Sequence, residues 1–392
     1  MNLSVRICAS MLALASLFGI PWEPPAHAAA VAVADTYVLI GYNDLGMHCM
    51  NSDFSEIMVL PPFNTMRAQL IRRGSSPDVE TSAGDFQIRY FLPNNTHSAD
   101  KTNFWEYWQP LLGPQQPPNV GLTGARMSGT LDPYTGDWAV IGVPIVPIDD
   151  SGRENPYPLV TLEARRRDGG ALVARTQAVM PVSTEITCNL CHDDPSVSTA
   201  TDLLQDHDRL HGTDLINQRP VLCASCHASN ALGLPGTPGL PSLSTAIHGA
   251  HAPRMDDVNL PEKCYACHPG IRTQCQRDVH FSNGITCTTC HGDMYAVGDP
   301  ARIPWVDEPR CTDCHNRPGF TFEQPGVLYR DSVGHGNIRC AACHGSPHAI
   351  GPNVTEADNV QPNRLQGHAG KLDTCTVCHT TVPGAFFHSQ DD

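Results

Sequence analysis

The sequence predicts an α+β multidomain protein, in which an antiparallel β-sandwich-like domain precedes a loop-rich, mostly α/coil domain. The composition changes near residues 181–187, where a segment with β patterning gives way to one dense in Cys and His. The length of 392 residues also exceeds the size at which a single hydrophobic core usually stops growing. We therefore expect a β-rich domain at 29–183 and a second domain at 184–392.

The first domain is predicted to be β because short apolar runs alternate with Pro- and Gly-containing turns. The clearest hairpin signal is Asp168-Gly169-Gly170, which separates two runs rich in β-branched residues. The segment Asn103–Trp108 is either a short helix or an aromatic patch. The predicted strands are Thr36–Gly41, Thr65–Ile71, Phe86–Phe91, Ser128–Leu131, Trp138–Val143, Leu159–Arg166 and Ala171–Val179.

Residues 1–28 are predicted to be a signal peptide. A short basic start is followed by the apolar run Ile7–Ile20 and by Ala26-His27-Ala28, which is typical of a cleavage site. A membrane anchor is the alternative, but this run is short for a span. No second long apolar run follows, so we expect no transmembrane segment after cleavage and an exported protein, either periplasmic or at the cell surface.

The formal net charge is -15, and no Lys/Arg-rich block occurs. This charge argues against nucleic acid and against an anionic membrane surface as partners. It favours a basic or neutral partner protein, and it also keeps an exported protein soluble.

The second segment repeats Cys-x-x-Cys-His seven times, which is the attachment pattern of covalent c-type haem. Two thiols three positions apart can form thioethers with one porphyrin, and the following imidazole is then the proximal iron ligand. Zinc knuckles are the alternative, but an odd number of Cys pairs combines badly into four-ligand sites. The predicted haem c residues are Cys188, Cys191 and His192; Cys223, Cys226 and His227; Cys264, Cys267 and His268; Cys287, Cys290 and His291; Cys311, Cys314 and His315; Cys340, Cys343 and His344; and Cys375, Cys378 and His379.

Three cysteines lie outside these motifs. Cys8 belongs to the predicted signal peptide. Cys49 and Cys275 remain, and in an oxidising compartment they form either one disulfide or two isolated buried thiols.

Each iron has a sixth position, and the second segment holds more spare His than seven irons require. Ligands close together in sequence bind neighbouring irons, which brings haems close together. For one position His211 is preferred to His207, and His388 and His48 are reserves. The predicted distal ligands are His211, His248, His251, His280, His335, His348 and His368.

His48 lies in the sequence Gly46-Met47-His48-Cys49-Met50. An ordinary structured loop, a copper site formed with the neighbouring sulfur atoms and an axial haem ligand from the first domain are all open interpretations.

From its motifs the second segment resembles the bacterial multihaem c-type cytochromes of periplasmic and extracellular electron transfer. The resemblance covers about half of the chain and implies a heptahaem cytochrome c domain in which closely packed bis-His haems carry electrons between redox partners. It also implies that those partners include other cytochromes, and that self-assembly is possible. The β domain is then expected to serve docking or assembly.

The alternative is an oxidoreductase that acts on a small nitrogen or sulfur compound at one five-coordinate haem. Resemblance to pentahaem nitrite reductases would imply a motif that ends in Lys, and none does. Hydroxylamine oxidoreductase-like enzymes carry eight haems, whereas this chain offers seven motifs. An electron carrier without catalytic residues is therefore the preferred prediction.

Overall fold

The computed structural model describes residues 36–318, 320, 322–384 and 388. The predicted signal peptide, 1–28, lies outside these residues. None of the helices in the described ranges has the length and apolar character that a membrane crossing requires.

Strands dominate the first half of the described chain. The strands of the described residues are β1 (Tyr37–Tyr42), β2 (His48–Cys49), β3 (Ile57–Met58), β4 (Asn64–Arg72), β5 (Asp78–Glu80), β6 (Phe86–Phe91), β7 (Ser128–Tyr134), β8 (Asp137–Val143), β9 (Leu159–Arg166), β10 (Leu172–Val179), β11 (Val182–Ser183) and β12 (Val221–Leu222).

Helices are short and lie mostly in the second half. The α-helices are α1 (Trp108–Leu112), α2 (Thr199–His211), α3 (Leu243–His251), α4 (Val279–Ser282), α5 (Cys287–His291), α6 (Met294–Val297), α7 (Cys340–His344) and α8 (Glu356–Gln366). The 3₁₀ turns are Cys188–Leu190, Leu215–Asn217, Cys223–Ser225, Ala252–Arg254, Lys263–Ala266, Cys311–Asp313, Tyr329–Asp331, His335–Asn337 and Cys375–Val377.

Eight strands form one antiparallel sheet in the order β1–β4–β8–β7–β6–β9–β10, with β5 added beside β4. The β7–β8 hairpin pairs Tyr134 with Asp137 across a two-residue loop in which Gly136 has a φ of 75°. This left-handed backbone is readily adopted by glycine. The β9–β10 hairpin turns through Gly169 and Gly170, which also have positive φ values.

The two end strands of the sheet approach one another, so that the sheet is nearly closed and barrel-like. A Cβ atom added to Gly41 of β1 would lie 3.1 Å from the Cβ of Ala178 of β10, and it would overlap the Leu162 side chain. Glycine at position 41 therefore permits the close approach of the two ends.

The fold-class prediction is wrong. The structure is strand-rich, with 21% strand and 24% helix, and its main element is a nearly closed antiparallel sheet. Because β6 pairs with both β7 and β9, the strands form one continuous sheet and not the two packed sheets of a sandwich. The loop-rich, mostly α/coil description therefore does not fit the molecule. Short strands with Pro/Gly turns are common to sandwiches and barrels, and for this reason the pattern does not distinguish them.

The interior of the sheet holds the main hydrophobic core. Alternate residues of β4, including Met66 and Leu70, point into it, together with Trp138 of β8. At roughly 25 cal/mol per Å² of buried apolar surface, such a core is the chief source of stability for the first half of the chain.

The outer face of β1 and β4 is buried as well, because the second half of the chain covers it. Ile40 and Ile71 pack there with Ala341, Ala342 and Val377, which belong to the last two Cys-x-x-Cys-His motifs. The sheet is therefore the surface on which these two motifs are held.

Two short parallel pairings lie outside the main sheet, and one of them joins the two halves. β11 pairs with β2, and β12 of the second half pairs with β3 of the first. Among the residues of these strands, Val182 lies beside His48 and Val221 lies beside Ile57. The described residues therefore pack as one unit, and the domain limits 29–183 and 184–392 remain a sequence-based prediction.

Candidate haem-ligand sites

Every Cys-x-x-Cys-His motif forms a single helical turn. Two motifs are the α-helices α5 and α7, and the others begin as 3₁₀ turns. In the first motif the His192 amide donates to the Cys188 carbonyl at 3.0 Å, which is the hydrogen bond of one α-helical turn. Because residues three and four positions apart share a helix face, both thiols and the imidazole of a motif project to the same side.

Each motif histidine faces a second histidine from outside the motifs. The distances between their ring centres range from 5.8 to 6.4 Å. In the order of the motifs we name them site 1 (His192 and His251), site 2 (His227 and His207), site 3 (His268 and His248), site 4 (His291 and His348), site 5 (His315 and His280), site 6 (His344 and His388) and site 7 (His379 and His335).

This separation matches two imidazoles that share one metal ion. Metal–imidazole bonds are about 2 Å long, so an ion held between two Nε2 atoms sets the ring centres about 6 Å apart. Rings in direct contact lie closer, as do those of His207 and His211 at 4.8 Å. The pairs therefore have the spacing that two axial ligands of one iron require.

Hydrogen bonds to Nδ1 leave Nε2 available for a metal at several sites. The Nδ1 atom of His227 donates to the Pro241 carbonyl at 2.9 Å, and that of His248 donates to Ser244 at 2.8 Å. The Nδ1 atom of His251 donates in the same way to Ile247 at 2.7 Å. A ligating histidine typically uses its other nitrogen in this manner, which fixes the orientation of the ring.

Two sites place a carboxylate at Nδ1 instead. Asp278 lies 3.0 Å from Nδ1 of His280, and Asp202 lies 3.4 Å from Nδ1 of His192. A carboxylate partner increases the basicity of an imidazole, and His192 and His280 have such a partner.

Two half-buried motif histidines, His291 and His344, are neutral near pH 7, as metal ligation requires. Burial, with smaller contributions from neighbouring imidazoles, lowers the pKa of His291 and of His344 to about 4. Their lone pairs are therefore available without the loss of a proton.

The zinc alternative is poorly supported by the arrangement of the thiols. The described residues bring potential metal ligands together in two groups, Glu262 with Cys264 and Cys287, and His192 with Asp202 and Asp206. Neither group contains both cysteines of one motif. The described residues therefore do not gather the thiols of two motifs into a four-cysteine site.

Five of the seven predicted distal residues lie opposite a motif histidine. They are His248, His251, His280, His335 and His348. Their role as iron ligands remains a prediction.

The geometry favours other residues at sites 2 and 6. His207 faces His227, whereas the predicted His211 stacks against His207 itself. The predicted His368 is held by the Ala369 carbonyl and by Asp373, and His388 lies opposite His344 in its place. The i, i+4 spacing of His207 and His211 puts both on one helix face, so the sequence offered no means to choose between them.

His48 has a structural environment. Its Nε2 atom donates to the Pro61 carbonyl at 2.7 Å, and burial lowers its pKa to about 4. The neighbouring Met50 belongs to the hydrophobic core of the sheet. Of the three interpretations of this segment, the geometry favours the ordinary structured loop.

Cys49 and Cys275 are free thiols that lie near one another. Burial raises the pKa of Cys49 strongly, and the neighbouring Cys275 raises it further. The Cys275 thiol also lies 3.7 Å from Nδ1 of His348 in site 4.

No family model matches this chain, and neither the curated proteins nor the solved structures contain a match.

Proposed function

We propose that this protein is an exported heptahaem c-type cytochrome that carries electrons between redox partners along closely packed bis-His haems. The observation that carries this proposal is the pairing of all seven motif histidines with a second histidine. When bound, haem supplies a reversible one-electron couple at each site.

The residues of the chain have three tasks in this function. The motif thiols would anchor the cofactor covalently, and the two imidazoles of each pair would hold its iron. The hydrogen bonds to Nδ1 hold the rings in place, which reduces rearrangement between oxidation states. A periplasmic or cell-surface location, partners that include other cytochromes, and self-assembly belong to the same proposal.

The second candidate, an oxidoreductase for a small nitrogen or sulfur compound, needs one iron with an open position. The pairing disfavours it, because each motif histidine has an imidazole opposite it. The second half of the chain covers the outer face of β1 and β4, so a partner that docks on the β domain must use another surface.

Two measurements test the proposal. The intact mass of the denatured mature protein should equal the chain plus seven haems. Electron paramagnetic resonance of the oxidised protein should show low-spin iron only. A mass with fewer haems would refute the stoichiometry, and a high-spin signal that shifts when nitrite or hydroxylamine is added would favour the enzyme.

A further inference from the structure

We propose that the seven sites form a row in which site 1 lies between sites 2 and 3, so that site 2 is one end of the row and site 7 the other. The order along the row is 2–1–3–4–5–6–7, which inverts the first two motifs of the sequence. This inference rests on the proposed function, because it concerns the positions of the same haem-ligand residues.

Helix α2 joins site 2 to site 1. His207 on this helix faces His227 of site 2. On the same helix, Asp202 and Asp206 lie 3.4 and 3.8 Å from Nδ1 of His192 in site 1. One helix of 13 residues therefore contacts the ligands of both sites.

Helix α3 joins site 1 to site 3. His251 faces His192, and His248 faces His268. These two histidines are three positions apart, which corresponds to about 4.5 Å along a helix axis. In addition, the Thr187 hydroxyl, next to the first motif, donates to the Ala266 carbonyl of the third motif at 2.6 Å. Since α2 contacts the ligands of sites 2 and 1, and α3 supplies ligands to sites 1 and 3, site 1 lies between sites 2 and 3.

Thiols and α4 continue the row through sites 4 and 5. The Sγ atoms of Cys264 and Cys287, which belong to the third and fourth motifs, lie within 4.8 Å of one another and of a Glu262 oxygen. His280 of α4 stands just before the fourth motif and faces His315 of site 5. Sites 3, 4 and 5 are thus consecutive in space as well as in sequence.

An aromatic ring lies between sites 5 and 6. The centre of the Phe322 ring is 6.3 Å from that of His315 in site 5 and 5.9 Å from that of His388 in site 6. His348 of site 4 follows the sixth motif by four residues. This short connection brings sites 4 and 6 close together, and sites 2 and 7 remain the ends of the row.

Site 7 follows site 6. The Leu372 amide donates to the Cys343 carbonyl of the sixth motif at 2.8 Å. His335, which precedes the sixth motif, faces His379 of the seventh. Site 2 is thus one end of the row, and its neighbouring residues Cys226 and His211 are exposed.

The test locates the iron atoms in crystals of the mature holoprotein by anomalous scattering at the iron edge. We expect seven positions in one row, in which the iron bound by His227 has the iron bound by His192 as its nearest neighbour. An iron at His227 that lies closer to that of His268 would overturn the order. Fewer than seven irons would instead refute the proposed function, so the two failures are distinguishable.

A matched pair of variants assigns the positions. Replacing both Cys223 and Cys226 by Ala removes the haem of site 2, and the six remaining irons should form an unbroken row. Replacing both Cys188 and Cys191 by Ala removes the haem of site 1 and should leave one iron apart from the other five. The reverse result, an unbroken row in the second variant and an isolated iron in the first, would contradict the proposal.

Discussion

The imidazole ring of His388 has its centre 6.0 Å from that of His344, although the two residues are distant in the sequence. His368, which lies nearer to the sixth motif in the chain, has both ring nitrogens near other groups, the Ala369 carbonyl and the Asp373 carboxylate. The three-dimensional arrangement thus places His388, and not the nearer His368, opposite His344.

The first prediction follows from this pairing. His388→Ala should remove one axial ligand, so the oxidised protein should gain a high-spin signal from one iron of the seven, measured by electron paramagnetic resonance. His368→Ala is the matched control and should leave all irons low-spin. High-spin iron in His368→Ala, or none in His388→Ala, would contradict the pairing of His388 with His344 and favour His368 as the ligand.

The second prediction concerns helix α2. His207→Ala should produce one high-spin iron, because the ring of His207 faces His227 at 6.4 Å. His211→Ala is the control, because His211 belongs to the same helix and the substitution changes helix propensity equally. It should leave the spin state unchanged. If only His211→Ala gave high-spin iron, the pairing at site 2 would be wrong.

The sequence predicted the individual strands well and their assembly poorly. The predicted Phe86–Phe91 and Leu159–Arg166 coincide with β6 and β9, since alternation of apolar residues is a local property. Whether β6 pairs with β9 within one sheet or packs against it across a sandwich depends on contacts between distant residues. No local pattern encodes that choice.

The histidine pairs likewise combine one residue that the local sequence identifies with one that only the long-range contacts identify. The motif cysteines and histidines are identifiable because their spacing is set by the chemistry of attachment. The distal residues have no fixed spacing, so they can be listed from composition but not paired. Pairing His280 with His315 rather than with the nearer His291 requires the structure.

The third prediction separates His48 from the haem sites. Because its Nε2 atom binds the Pro61 carbonyl, His48→Ala should leave the spin state unchanged. It should also lower the free energy of unfolding by about 1–3 kcal/mol, the usual cost of a buried polar group that loses its partner. His97→Ala, at a more exposed histidine, is the control. A new high-spin signal in His48→Ala would show that the β domain supplies an iron ligand.

His48 also predicts a pH dependence. Its pKa in the folded protein is about 4, below the ordinary value of 6.5, because burial disfavours the charged ring. The unfolded chain therefore binds the proton first, and stability that is fully present above pH 6.5 should decline as the pH falls towards 4. The slope of unfolding free energy against pH over this window should be smaller in His48→Ala than in the parent protein. Equal slopes would contradict this assignment.

The fourth prediction concerns Glu185, whose carboxylate binds a loop beside the third motif. It accepts hydrogen bonds from the amides of Ile271, Arg272 and Thr273 at 2.9, 2.8 and 2.6 Å. Burial alone would raise the pKa of Glu185, but these hydrogen bonds outweigh it and lower the pKa below its usual 4.5. The stability that this carboxylate contributes is present above pH 4.5 and is lost as the pH falls through the lowered pKa.

Glu185→Gln should therefore be less stable than the parent at pH 7 and should lose less further stability on acidification. Chemical denaturation at pH 7 and at pH 3 measures both effects. Glu154→Gln is the control, because its partner Arg272 forms an exposed ion pair with it. If Glu185→Gln lost as much stability on acidification as the parent, the charge of Glu185 would not contribute to the stability of these three hydrogen bonds.

The fifth prediction concerns the buried ion pair of Arg277 and Asp358. The Arg277 side chain is fully buried, and its Nε and Nη2 atoms donate to the two oxygens of Asp358 at 2.7 and 2.9 Å. Its Nη1 atom donates to the Cys275 carbonyl at 2.9 Å. Arg277→Ala leaves the Asp358 carboxylate buried without its ion-pair partner, which should cost about 3–5 kcal/mol in unfolding free energy.

The double variant Arg277→Leu/Asp358→Leu tests the cause of that loss. Removing both charges and filling the space with apolar side chains should restore most of the stability, since the main cost of the single variant is the unpaired charge. Arg72→Ala, at an exposed pair with Asp78 and Glu80, should change the stability little. Denaturant unfolding followed by far-ultraviolet circular dichroism measures all three proteins. A double variant as unstable as Arg277→Ala would mean that the loss comes from the hydrogen bond of Arg277 to the Cys275 carbonyl, and not from an unpaired charge.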